Sequence, residues 1–425
     1  MDINGFVKLA EKLGADEAEI FIEAQRTRRI TWKGKERKGI GFETLGIGIR
    51  VNVKGKEGFV SLSEISKDSI INAIKRCIKI AKLSKFSEHY FAIPEKYSSS
   101  NTKVFDKHVS SLELDEMDEK AKDLFQNEKL VFPRGYLQAN VKEVMLVSSY
   151  SEISEVRTQL SSTFTLRYED AVFKKFASSR SLENFEKLIH EKISHSEEIV
   201  RLLFHPKMLS TRTANILLLP DASAKIFARF VEECFCCSQK QREERWEIGN
   251  ELCKENISIT DDGTLPYAPG SRGFDDEGIQ TQKTKIIEKG KLCSYLYDYS
   301  IAKLLGRKST GNAHRSYASL PTTRPCNILV EEGSMKLEEI PDNTFIVEKI
   351  IGAKLSNFMR GVLGFTIAFG YYLNRDAITA VSNMVVHDDF LDCLKNRIQP
   401  CKGAEWYGNV CTPAIFIENV KVCGK

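Results

Sequence analysis

The sequence predicts an α+β fold in which mixed N-terminal domains precede a larger, mainly antiparallel, β-rich C-terminal domain. Three observations predict it. At 425 residues the chain has length for about two or three domains, each with its own core. Within the first 206 residues, apolar positions at helical spacing alternate with segments of period two. From residue 211 onward short strands and glycine turns dominate, closing with the alternating AIFIENVKV of residues 414–422. The expected division is therefore 1–97, 108–206 and 211–425, with a linker rich in Ser, Lys and Asn at 97–107.

The elements follow in order. Residues 3–13 form an amphipathic helix, after which the chain turns to strands. In GIGIRVNVKGKEGFVSL, Ile47, Ile49, Val51 and Val53 share one face, residues 54–58 make the turn, and Phe59 begins the return strand. Ser66 caps a helix carrying Ile70, Ile71, Ile74, Cys77, Ile78 and Ala81 at the 3.6 period. The second domain opens with a helix over 112–127 and continues with strands near 141–150, 156–168 and 171–177. Ser181 then caps a long helix with Leu182, Phe185, Ile189, Ile193, Val200 and Leu203 on its apolar stripe, and His205-Pro206 ends it. The third domain begins with the strand NILLLP and a helix over 222–238.

Composition narrows the function classes. With 62 Lys plus Arg against 58 Asp plus Glu the formal charge is only +4, too slight for a dedicated nucleic-acid binder. A 42% hydrophobic, 28% charged chain is globular in composition, neither disordered nor membranous. Asp2, Glu11 and Asp16 interrupt the place where a secretory signal carries its apolar core, and the apolar run at 358–373 is cut by Arg360 and glycines. A cytoplasmic chain is expected, and the 11 cysteines are read as reduced, mostly buried thiols.

Several strings invite a chemical reading. His190-Glu191-Lys192-Ile193-Ser194-His195 has the HExxxH form, in which two imidazoles hold zinc and a carboxylate takes a proton from its water. Five helical residues turn through roughly 140° beyond a full revolution, so the two histidines flank the apolar stripe from opposite sides instead of sharing a face. Cys234 and Cys237 have CxxC spacing, with Cys253 following, but Cys234 continues the apolar stripe of its own helix. Ser300 and Lys303, like Ser100 and Lys103, satisfy the inexpensive SxxK pattern. The stretch DDGTLPYAPGSRGFDDEG differs in kind: carboxylates, glycines and prolines are too dense for a packed strand and form a long ordered loop. Asp275, Asp276 and Glu277 either bind a hard cation or a cationic ligand group, or cap the loop by accepting backbone N–H groups.

Read in order, Asp-Asp-x-Thr-Leu-Pro, Gly-Ser-Arg, Phe-Asp-Asp-Glu-Gly, Tyr-Leu-Tyr-Asp and Ser-Thr-Gly-Asn-Ala between Asp261 and Ala313 resemble the C-terminal domain of the TldD/PmbA family, to which the phrase "modulator of DNA gyrase" is also attached. GIGIRVNVKGKEGFVSLSEIS and the following helix resemble its first domain, so the resemblance spans nearly the whole chain and is weakest over 85–180. It implies proteolysis by heterodimers, in which a TldD-type subunit holds zinc through HExxxH and a distal cysteine, while a TldE/PmbA-type subunit without those ligands helps enclose the chamber where unfolded or leader peptides are cleaved. In TldD-like chains the motif lies on the helix after a strand ending in proline. Here that helix is DASAKIFARFVEECFCC, and the three motif positions fall near Ala228, Arg229 and Glu233. No histidine occurs between His205 and His314, and HEKISH lies one helix too early.

The resemblance therefore implies a TldE/PmbA-type subunit with no metal or other cofactor of its own, zinc being expected in a TldD-like partner. His190, Glu191, His195 and Cys401 remain the metal-ligand candidates of a self-sufficient, homodimeric peptidase; Cys401 resembles in position the TldD-type cysteine ligand. Leu355-Ser356-Asn357-Phe358-Met359 departs from the family's usual Thr-Gly-Asp-Phe-Ser. Ser271, Arg272, Asp275, Asp276, Glu277, Thr310, Gly311, Asn312 and Arg315 are expected to order or line a peptide cavity. Expected partners are a TldD-like subunit or a second copy, and an unfolded peptide, with no membrane. A non-enzymatic modulator that binds DNA gyrase or nucleic acid is the alternative of another class.

Overall fold

The computed structural model describes residues 2–84, 91, 102–127, 130–168, 171–200, 205–237, 246–375 and 377–425. Leu203, Ser100, Ser238 and part of the 97–107 linker lie outside them. The first half contains α1 (Ile3–Lys12), β1 (Glu17–Lys33), β2 (Glu36–Val53), β3 (Lys56–Leu62), α2 (Lys67–Leu83), α3 (Lys107–Ser111), α4 (Leu114–Leu124), β4 (Val131–Ser148), β5 (Glu152–Tyr168), β6 (Ala171–Ser179) and α5 (Leu182–Val200). Its strands form one six-stranded sheet in the order β3-β2-β1-β4-β5-β6, every neighbour antiparallel.

Local chemistry sets these elements. The β2–β3 turn is only Lys54-Gly55, both at positive φ as a tight hairpin requires, so the expected five-residue turn is shorter and Gly58 belongs to β3. Ser66 caps α2 by accepting from Ser69 N at 3.1 Å, and Ser181 Oγ accepts from Asn184 N at 3.3 Å at the start of α5. The strands are longer than the hydrophobic pattern announces. β2 starts at Glu36, and its first ten residues are all exposed, so no alternation marks them.

Both faces of this sheet are covered near its centre. Ile20, Ile47, Ile49, Val51 and Val147 pack with α1 and α2, while Phe21, Val144 and Leu146 on the opposite face pack with Phe274 from the C-terminal half. Farther along the same strands, Ile30, Trp32, Leu137 and Phe164 pack with α3, α4 and α5.

The C-terminal half contains β7 (Arg212–Leu218), α6 (Pro220–Cys234), β8 (Cys236–Cys237), β9 (Ile259–Asp262), β10 (Lys283–Glu288), β11 (Lys291–Leu292), β12 (Leu296–Tyr297), β13 (Ala313–His314), β14 (Thr322–Thr323), β15 (Ile328–Val330), β16 (Thr344–Ile351), β17 (Val362–Asn374), β18 (Ala377–Val381), β19 (Met384–Asp389), β20 (Ile398–Tyr407) and β21 (Val410–Cys423). Strands β7, β16, β17, β19 and β21 close a ring because β21 pairs with β7, and β9, β10, β11 and β15 extend the sheet from β21. Most pairs are antiparallel, with β7–β16 and β15–β21 parallel. Alternate residues of β7 enter two cores: Ala214, Ile216 and Leu218 pack with α6, and Leu217 with Met335, Cys401 and Phe416. Burial on both faces explains why NILLLP is apolar without interruption. Pro220 starts α6 at a position where its missing N–H costs nothing.

Candidate functional site

The loop after β9 lies between the two halves of the molecule. Asp275 organises it: Oδ1 accepts from Glu277 N and Ile279 N, both at 2.9 Å, and Oδ2 accepts from Ala313 N at 3.0 Å. Burial pushes this carboxyl up to about 6 against the pull of Arg272. Asp276 Oδ2 accepts from Arg315 N at 2.9 Å and lies 3.4 Å from Arg272 Nη1. Burial alone would raise Asp276, but Arg272 and Arg157 override it and hold the carboxyl at about 2. Glu277 Oε2 accepts from Tyr299 N at 2.8 Å, and its Oε1 meets Arg50 of β2 at 3.4 Å. Burial and the neighbouring Asp298 push Glu277 above the usual range, and Arg50 opposes them.

Arg50 joins the loop to the first sheet. It pairs with Glu19, which stands directly opposite on β1, at 3.1 Å through both Nε and Nη2. Arg315 Nη1 reaches the same Glu19 at 2.6 Å and lies over the Phe21 ring. Burial would raise Glu19, yet Arg315 and Arg50 lower it. Gly46 and Gly48 share this face with Arg50. A Cβ at Gly46 would lie 2.3 Å from the Tyr317 ring and one at Gly48 2.6 Å from Tyr317 O, so the alternate glycines of GIGIR make room for the chain after Arg315. Arg157 of β5 adds a further link by donating to Phe274 O at 3.1 Å and pairing with Glu155, which accepts from Gly273 N at 2.7 Å.

The remaining residues of the set join the same buried web. Ser271 Oγ accepts from Asn327 Nδ2 at 2.9 Å, and Thr310 Oγ1 accepts from Tyr297 N at 2.7 Å. Asn312 Nδ2 donates to Asp261 Oδ2 at 2.7 Å, while burial pushes Asp261 up to about 7. Gly311 has φ +70°, and a Cβ there would lie 2.6 Å from Gln280 O. All nine residues singled out from the sequence are buried in this region.

The other strings are not brought together. His190 and Glu191 are exposed on α5, and Glu191 pairs with Lys187; His195 instead turns towards Glu348 of β16, with Nε2 3.4 Å from Oε2. Cys234, Cys236, Cys237 and Cys253 are buried in the C-terminal core. Lys303 of the SxxK string is exposed, and Cys401 is buried, its thiol pushed up to about 11 by desolvation. On α6, Arg229 Nε pairs with Glu233 Oε2 at 3.4 Å, and Arg229 Nη2 donates to Ser356 O at 3.3 Å. Among the described residues, no group of three or more His, Cys, Asp or Glu side chains is placed to hold a metal ion.

Beside α6 lies a cleft of about 410 Å³, lined by Asp221, Ala224, Lys225 and Ala228 of the helix, Lys174 and Lys175 of β6, Lys349 of β16 and the 407–410 turn. At its back, buried Lys175 pairs with Glu348, and Lys192 of α5 lies with Nζ 3.3 Å from the Tyr407 ring centre. Burial and Lys175 bring Lys192 down to about 8. Sequence reasoning missed this cleft and missed Glu19, Arg50, Arg157 and Glu155. The β1–β2 register, which sets Glu19 opposite Arg50, is the signal that finds that pair.

Residues 211–424, half of the chain, match the PmbA/TldA metallopeptidase C-terminal domain, and residues 18–81 match PmbA/TldA metallopeptidase domain 1. The chain belongs to the PmbA/TldD family. Relatives of this metallopeptidase-like family include an uncharacterised protein of Methanocaldococcus jannaschii, 26% identical over 98% of this chain and 99% of its own. A metalloprotease PmbA homologue of Haemophilus influenzae is 23% identical over 98% of this chain and 94% of its own. The PmbA/TldD fold seen here is also that of TldE from Thermococcus kodakarensis, with a TM-score of 0.83 at 19% identity over 99% of this chain and 100% of that one. A structure described as a putative modulator of DNA gyrase from Bacteroides thetaiotaomicron superposes equally well, at 0.83 and 19% identity over both full lengths.

Proposed function

We propose that this chain is the TldE/PmbA-type subunit of a TldD/TldE-type zinc peptidase complex, walling a chamber for unfolded or leader peptides while a TldD-like partner supplies zinc and the general base. The observation that carries the reading is the Arg229–Glu233 ion pair on α6, with Ala228 beside it. These are the three positions at which the family resemblance sets the zinc motif. A guanidinium has no lone pair for a metal, and its carboxylate partner is already engaged. The HExxxH string supports the same assignment, since its first histidine faces outward and its second turns to Glu348.

The nine loop residues act in this reading as an ordering network: they fix how the C-terminal half sits on the first sheet, and so shape the chamber wall. The ten exposed residues that open β2 include Ile40, Phe42 and Leu45, apolar side chains available to a partner subunit. In the described part no helix is long and apolar enough to cross a membrane.

The test is to purify the full chain alone and with a TldD-like partner, then measure bound zinc and cleavage of an unfolded peptide. The expected result is cleavage and zinc only with the partner. Stoichiometric zinc and cleavage by the isolated chain, both abolished by His190→Ala, would replace this reading with the self-sufficient homodimer. Salt-sensitive DNA binding at physiological ionic strength would instead favour the nucleic-acid alternative.

A further inference from the structure

The cleft beside α6 carries a charge distribution that the ordering network does not need. Four lysines line it, Lys174, Lys175, Lys225 and Lys349, against one lining carboxylate, Asp221. Asp221 is engaged by Lys225 one helical turn away, and Glu348 behind the wall is engaged by Lys175. Lys349 Nζ has as its hydrogen-bond acceptor the main-chain oxygen of Lys174, at 3.3 Å, and burial together with Lys225 lowers its proton affinity. Lys225 and Lys349 are half-buried here, and half-buried ammonium groups beside a cavity repel one another unless an anion enters.

The cleft also runs beside the outer edge of β6. Among the described residues β6 ends the six-stranded sheet, and its one strand partner is β5. Lys174 O faces outward to Lys349, and Arg180 N faces outward to Tyr267 O at 3.2 Å. Antiparallel alternation therefore turns the main-chain groups of Phe176 and Ser178 to the same side. Ser178 and Ser179 of the same strand line a second cavity of about 460 Å³, with Leu265, Pro266, Tyr267 and Trp406 on its apolar side and Asn184, Lys187 and Glu191 of α5 on its polar side. The edge thus runs beside both a mixed pocket with an apolar side at Trp406 and a basic cleft.

We propose that the lysine-lined cleft is a carboxylate-binding subsite for an extended peptide lying along β6. The peptide pairs with the exposed Phe176, sets an apolar side chain by Trp406, and places a carboxylate among Lys174, Lys225 and Lys349. The inference rests on the peptide-handling reading and adds its preference: a free C-terminus or a Glu or Asp side chain at the α6 end.

The test is fluorescence anisotropy with the full-length chain and three N-terminally labelled peptides of one unstructured sequence: one with a free C-terminus, one amidated, and one amidated with a Glu at its last position. Both carboxylate peptides should bind at least about tenfold more tightly than the plain amide, the tighter of the two identifying the source of the carboxylate, and inorganic phosphate should compete. Lys225→Ala combined with Lys349→Ala should remove that ratio, and Asp221→Asn should enlarge it. Equal binding of acid and amide, or a ratio that survives the double lysine variant, overturns the subsite and leaves the chamber reading intact. If none of the peptides binds either to the chain or to its complex with a TldD-like partner, both fall.

Discussion

Two charged regions of this molecule differ in how their charges are answered. In the network under the 261–281 loop, Glu19, Arg50, Glu277, Arg315, Asp276 and Arg272 lie almost wholly buried, and each meets an opposite charge inside the protein. In the α6 cleft, lysines outnumber the carboxylates facing them, and all of these lysines but the buried Lys175 are partly open to solvent. The charges of this buried web are paired although Arg272 Nη2 and Arg315 Nη2 have no hydrogen-bond acceptor, and breaking such a web costs far more than forming it gains. A cleft with charge to spare has its complement elsewhere. The first region is therefore read as structural and the second as receptive, and substitutions separate them.

The largest effect is expected from Arg50→Met, which leaves Glu19 and Glu277 buried without their shared cation. It should lower unfolding stability by about 3–5 kcal/mol, read as a fall in the urea midpoint. A loss below about 1 kcal/mol would mean that the web is wetter and looser than its burial indicates. Next is Gly311→Ala, which forces a side chain into left-handed backbone and against Gln280 O. The expected loss is about 1–3 kcal/mol, and an unchanged midpoint would show that the 310–315 segment yields easily.

The pH dependence of stability sharpens the comparison further. Asp275 is raised from 3.8 to about 6, chiefly by burial, so its protonated form suits the folded state. Its contribution is full below pH 3.8 and is lost as pH rises through about 6. Glu348 behaves in the opposite sense: burial is overridden by Lys175 and His195, which hold it at about 2, so its contribution is present above pH 4.5 and is lost as pH falls towards 2. Asp275→Asn should therefore be most damaging near pH 4 and progressively less so towards pH 7. Glu348→Gln should be damaging at pH 7 and nearly silent near pH 2. Midpoints measured across that range test both, and parallel curves for wild type and either variant would contradict the assignment.

How much of this was legible in the sequence depends on whether a residue's role was set by its neighbours in the chain. The caps at Ser66 and Ser181, the apolar stripe of α2 and the strand NILLLP follow from spacing alone, and the loop's composition drew the eye to Ser271, Arg272, Asp275, Asp276 and Glu277. Their partners could not be read the same way. Arg50 sits inside a strand pattern as one polar position among several, and Glu277 finds it 227 residues away. The α6 cleft was invisible for the same reason, since its lysines come from β6, α6 and β16, and none of them forms a local motif. The glycines of GIGIR illustrate the reverse: their pattern was plain, but the Tyr317 segment they accommodate lies far along the chain.

The smallest effect is expected where the sequence offered the most conspicuous motif. His190 is exposed on α5, so His190→Ala should change stability by no more than about 0.5 kcal/mol. His195 is half-buried, with Nε2 3.4 Å from Glu348 Oε2, and its removal leaves Lys175 to hold that carboxylate. His195→Ala should therefore cost somewhat more, on the order of 1 kcal/mol. If the two residues formed a metal site, both substitutions would instead lower the melting temperature of zinc-supplemented protein by the same amount, and a chelator would erase the difference between wild type and variants. Thermal unfolding with and without chelator distinguishes the two outcomes. Unequal, chelator-independent losses would leave α5 as a wall of the fold and α6 as the helix to examine for peptide contact.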